Sequence, residues 1–100
     1  MLDKRKFYIN GKWVAPSKPN DLDVIDPCTE DSVATISLGS KEDTNAAVSA
    51  AKTAFESWKE SSKEERVALL EKLLNIYKKR YSEMVDAISL EMGAPADWSK

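Results

Sequence analysis

The hydrophobic pattern changes its period at Ser40, and this change constrains the fold more than any other feature of the chain. Beyond it, Ala47, Val48, Ala51, Ala54, Phe55 and Trp58 recur at steps of three and four, which places them on one face of a helix of about five turns. Ser40-Lys41-Glu42-Asp43 supplies the start, a hydroxyl for the third helical N–H and acids near the positive end of the helix dipole. Lys59-Glu60-Ser61 interrupts the stripe, and Ser62-Lys63-Glu64-Glu65 forms a second capping box. Val67, Leu70, Leu73, Leu74, Tyr77, Tyr81, Met84, Val85, Ile88 and Met92 then predict one continuous helix of about 30 residues, stopping at Gly93 with Pro95 beyond.

The first 39 residues read as short strands and turns. Asn10-Gly11 between Phe7-Tyr8-Ile9 and Lys12-Trp13-Val14 predicts a two-residue type I′ hairpin, because both central residues need positive φ. Pro16 and Pro19 end it. Leu22–Ile25 reads as a strand, 26–31 as a turn, and Ser32–Ser37 as a half-buried strand. The expected organisation is therefore a strand segment over 1–39 and a two-helix segment over 40–100, together forming a single partial domain. A 30-residue helix spans about 45 Å, longer than anything else in the chain could cover. An uncovered apolar strip and an end just past a helix terminus lead us to expect a piece of something larger, or a chain that self-associates.

Composition removes several chemistries. The chain has 100 residues, no His and one Cys, so it holds no Ser-His-Asp triad, no Cys-His dyad and no standard zinc site of its own. A lone thiol forms no internal disulfide. Together with the absence of an apolar signal segment, a long apolar run or an Asn-x-Ser/Thr acceptor, this leads us to expect a cytoplasmic protein. Fifteen Lys and Arg against 17 Asp and Glu give a net charge of −2, which lacks the basic excess for nucleic acid or an anionic membrane. Three glycines supply no phosphate-cradling loop. Pairs such as Glu60 and Glu64 read as surface charges. Cys28 follows Asp26-Pro27 with no base or helix start to activate it, and Trp13, Phe55, Trp58 and Tyr81 read as core.

Phe7–Val14 resembles the opening hairpin of the aldehyde dehydrogenase superfamily. Val24-Ile25-Asp26-Pro27-Cys28-Thr29-Glu30, followed by Val33-Ala34-Thr35-Ile36, is similar to that family's second segment, where an Asn-Pro-x-Thr-Gly-Glu-like turn joins two strands. Asp43–Phe55, Trp58, Glu65–Leu70 and Leu90-Glu91-Met92-Gly93-Ala94-Pro95 resemble its first two long helices and their exit. The chain departs from the pattern at Asp26, where Asn is usual, at Glu30-Asp31, where Gly-Glu is common, and at Ala94, where many members have Lys.

The resemblance implies an α/β, aldehyde dehydrogenase-like fragment, the amino-terminal portion of an enzyme about five times its length, in which the two-helix segment over 40–100 is an incomplete part of the cofactor-binding domain. It also implies the parent activity, oxidation of an aldehyde to an acid with NAD or NADP as hydride acceptor, in a homo-oligomer, while the charge balance above leads us to expect no nucleic-acid or membrane partner. The family's Cys nucleophile, oxyanion-hole Asn and Glu base belong to later segments, so no catalytic or cofactor-binding residue is expected here and Cys28 is not the nucleophile. Some members bind a monovalent cation through strand carbonyls and a carboxylate, and the matching positions are Val24, Ile25 and Glu91. The plainer reading of Glu91, a solvated carboxylate near a helix end, is preferred. The alternative to the enzyme fragment is a stand-alone helical-hairpin interaction module that uses its apolar stripe to bind a partner helix or to dimerise.

Overall fold

A computed structural model describes all residues 1–100. Strands β1 (Leu2–Lys4), β2 (Phe7–Ile9), β3 (Lys12–Val14), β4 (Asp21–Ile25) and β5 (Ser32–Ser37) precede helices α1 (Lys41–Trp58), α2 (Lys63–Lys79) and α3 (Tyr81–Met92). The chain forms two compact units. Met1–Ile25 with Asp31–Lys59 make the first, and Asp26–Glu30 with Glu60–Lys100 the second.

In the first unit, Asn10 and Gly11 adopt φ of 52° and 73°, so β2 and β3 pair antiparallel through the expected two-residue turn. Tyr8 faces Trp13 across the strands with ring centroids 5.2 Å apart, a tilted aromatic pair that steadies a hairpin too short to be stable alone. A separate three-stranded sheet has the order β1-β5-β4, with β4 antiparallel to β5 and β1 parallel to it. No alternation announces β1, because all three of its residues are exposed and parallel main-chain pairing to β5 aligns it. Arg5, just past its end, donates to both carboxylate oxygens of Asp3 and to Asp21 at the start of β4. Helix α1 begins at Ser40 with a complete capping box.

The second unit corrects the expectation of one 30-residue helix. Helix α2 starts at the Ser62 capping box and ends at Arg80, whose φ of −105° and ψ of 16° leave the helical region. The Arg80 N–H is shared between the Ile76 and Tyr77 carbonyls (both 3.1 Å), and the Arg80 carbonyl then accepts from Glu83 to open α3. Neither Pro nor Gly marks the break. Charge does: Lys78 and Lys79 lie in the last turn of α2, and Glu83 lies in the first turn of α3, where its carboxylate takes the Arg80 guanidinium at 2.7–3.1 Å. Tyr77 and Tyr81 meet edge to face across the joint, 5.8 Å between centroids.

Helix α3 ends at Gly93, with φ of 68°, and its N–H reaches the Ser89 carbonyl at 3.0 Å. Against this glycine packs the turn Asp26–Glu30. A Cβ at position 93 would stand 3.0 Å from both Cys28 Sγ and Pro27 Cγ, so crowding and the positive φ both disfavour a side chain there. In the turn itself, Asp26 Oδ1 accepts from the Cys28 N–H at 2.7 Å and the Asp26 carbonyl from the Glu30 N–H at 2.8 Å, so Asp serves where Asn is usual. Glu30 adopts φ of 63°, the left-handed conformation that a glycine takes at lower cost. The segment after Gly93 turns back on α3, with Ser99 buried and its Oγ 3.0 Å from Ser89 Oγ, while Tyr81 Oη donates to the Lys100 carbonyl.

Apolar burial is slight throughout. Ala34, 8% exposed, is the one buried apolar residue, and no side chain is fully buried. The aromatics expected as core are exposed on this chain, Trp13 at 68% and Phe55 at 56%, with Trp58 and Tyr81 also accessible. Leu70, Leu73, Leu74 and Met84 are uncovered as well, which realises the excess of stripe over cover inherent in the sequence. The chain exposes 8265 Å². A monomer of 11.2 kDa that covers its own core exposes roughly 5,700 Å².

Two substitutions test the second unit. Gly93→Ala should accelerate amide exchange over 89–93 by about fivefold or more, equivalent to a loss of at least about 1 kcal/mol from the left-handed penalty alone. Glu30→Gly should act oppositely, slowing exchange of the Glu30-position amide by about two- to fivefold, or about 0.5–1 kcal/mol, because it relieves the positive φ.

Candidate functional site

Val24 and Ile25 lie on β4, Val24 half-buried opposite Ala34 and Ile25 exposed opposite Ser32, and the strand register slips between them. Glu91 is exposed in the last turn of α3, two residues before Gly93. The first two belong to one compact unit and Glu91 to the other, so neither unit alone holds all three. No group of three or more His, Cys, Asp or Glu side chains in the chain could hold a metal ion.

Cys28 is exposed and reduced, its Sγ 4.0 Å from the Gly93 carbonyl oxygen. The thiol can only donate there, towards a helix C-terminus, and gains no base from the contact.

The charged groups with displaced titrations are structural. Asp3 is held down to about 2, chiefly by the Arg5 side chain and then by the Arg5 N–H. The Arg5 guanidinium is pushed up by Asp3 and Asp21. Glu83 is lowered by its hydrogen bonds from Arg80, and Arg80 is raised in return. Each shift moves a group further from neutrality, the opposite of what proton transfer near pH 7 requires.

Asp43 is a hub that sequence reasoning found only in part. The Ser40 N–H and Oγ–H both donate to Asp43 Oδ2 at 2.9 Å, and the Ser17 N–H donates to Oδ1 at 2.9 Å. Ser17 Oγ lies 2.7 Å from Ser40 Oγ. These amides, Ser40's first and then Ser17's, hold the Asp43 carboxyl below the ordinary range. The capping box was readable from Ser40 and Asp43, whereas the tie to the loop after β3 has no local signal. Both capped helix starts are thus filled by the chain's own carboxylates, Asp43 in α1 and Glu65 in α2, which leaves neither able to cradle a phosphate.

Two open grooves remain, the first of mixed polarity, with Asn10, Lys12 and Asp43 on its walls, and the second mainly apolar. In the first unit, a groove of about 620 Å³ runs between the hairpin and the small-residue face of α1, along Ile9, Val14, Ala46, Ser49, Ala50 and Thr53. In the second, about 380 Å³ opens at the α2–α3 joint beside Leu73, Ile76, Tyr77, Met84 and Ala87.

The sequence profile of the aldehyde dehydrogenase family matches residues 13–100. The chain belongs to that family. It is similar to an aldehyde dehydrogenase of Bartonella henselae of known structure, 57% identical with a TM-score of 0.97, over 99% of this chain and 21% of that one. A Pseudomonas syringae aldehyde dehydrogenase crystallised with NAD+ and octanal is 40% identical with a TM-score of 0.93, covering 95% of this chain and 20% of that one. Among curated proteins, a 3-succinoylsemialdehyde-pyridine dehydrogenase of a Pseudomonas species is 44% identical over 95 residues, which is 95% of this chain and 20% of the relative. The chain thus spans about a fifth of the length of the curated relatives it matches. The α/β arrangement implied by the resemblance holds, with three helices in place of two.

Because the folded Asp43 carboxyl titrates below its unfolded value of about 3.9, its contribution is complete above that value and is lost as pH falls through the lower folded value. Exchange of the Ser17 and Ser40 amides, extrapolated to constant chemistry, should rise several-fold on acidification across that window. Asp43→Asn should start from the faster rate and show no such step.

Proposed function

We propose that the chain is the amino-terminal portion of an NAD(P)+-dependent aldehyde dehydrogenase that oxidises an aldehyde to a carboxylic acid, and that these 100 residues supply scaffold without activity of their own. The observation that carries this reading is a family match over residues 13–100 in a chain only a fifth as long as its relatives. The surface agrees with it, since apolar faces on α1, α2 and α3 stay exposed while the main chain is capped and tied. The Pseudomonas syringae relative's complex with NAD+ and octanal supports a nicotinamide cofactor and an aldehyde substrate for the complete protein.

NAD(P)+, when bound, accepts the hydride in this chemistry. The residues present do not fit that group. They offer no glycine-rich loop, and the two capped helix starts are occupied by carboxylates. The contribution of this chain is to present preformed helices, with the Cys28 turn packed on the end of α3 and the Asp43 hub fixing the start of α1. No helix is long and apolar enough to cross a membrane. A cytoplasmic homo-oligomer without nucleic-acid or membrane partners is the setting proposed for the complete enzyme.

The α2–α3 groove favours a second reading, the stand-alone interaction module, because it offers a ready apolar surface to a partner helix. The deciding experiment is octanal-dependent reduction of NAD+ and NADP+ by the purified chain, followed at 340 nm, with size exclusion and thermal melting on the same sample. No turnover with a broad, non-cooperative melt is expected. Turnover would overturn the scaffold reading, and an inactive, sharply melting oligomer would replace it with the module.

For Glu91, the simpler reading is a solvated carboxylate, and the alternative, drawn from the family resemblance, makes Val24, Ile25 and Glu91 ligands of a monovalent cation in the complete enzyme. Melting of that enzyme in potassium chloride and in choline chloride separates them. The simpler reading expects the same midpoint in both salts, and a potassium-dependent rise that Glu91→Gln abolishes would establish the cation site.

A further inference from the structure

We draw no further inference here: the strongest candidate, the apolar groove at the α2–α3 joint beside Leu73, Ile76, Tyr77 and Met84, is an unpartnered face, and nothing in the structure shows what covers it.

Discussion

Asp43 gathers the first unit's hydrogen bonds at one carboxylate. It closes the start of α1 through Ser40 and anchors the loop after β3 through the Ser17 N–H. In a chain where only Ala34 is buried among apolar residues, such ties carry the structural definition that a core would normally supply. The second unit follows the same rule with different parts. Ser62 and Glu65 cap α2, Arg80 and Glu83 bridge the joint, and Ser99 pins the final turn to α3.

Satisfied polar groups and unsatisfied apolar faces make a particular combination. Every buried side-chain nitrogen or oxygen has a hydrogen-bond partner. The uncovered leucines and aromatics wait for other apolar surface. That division suits a component of a larger fold, in which local geometry is set early and burial is supplied from outside.

What could be read in advance was local. Asn10-Gly11, Ser40 with Asp43, Ser62 with Glu65, and Gly93 each specify backbone geometry within a few residues, and each boundary they mark falls at its expected place. What escaped depended on distant partners or on balance. Strand β1 exists because β5 lies alongside it, with no buried face to imprint a pattern. The break at Arg80 interrupts an apolar stripe that continues unbroken in sequence, since Tyr77 and Tyr81 remain in contact across it. Burial was overestimated for a related reason: periodicity tells which face of α1 is apolar, not whether anything lies on it. The joining of Ser17 to Asp43 across 26 positions likewise left no local mark.

The bare faces of α2 and α3 also bear on synthesis. If the chain is, as proposed, the amino-terminal fifth of a longer enzyme, a ribosome working at about 5–20 residues per second needs tens of seconds to make the rest. Through that interval the leucine stripe stands in a crowded solution with no cover. Charges along the same helices, among them Glu71, Lys72, Lys78 and Lys79, are of the kind that limits association of such stripes, and the caps are complete within the segment itself.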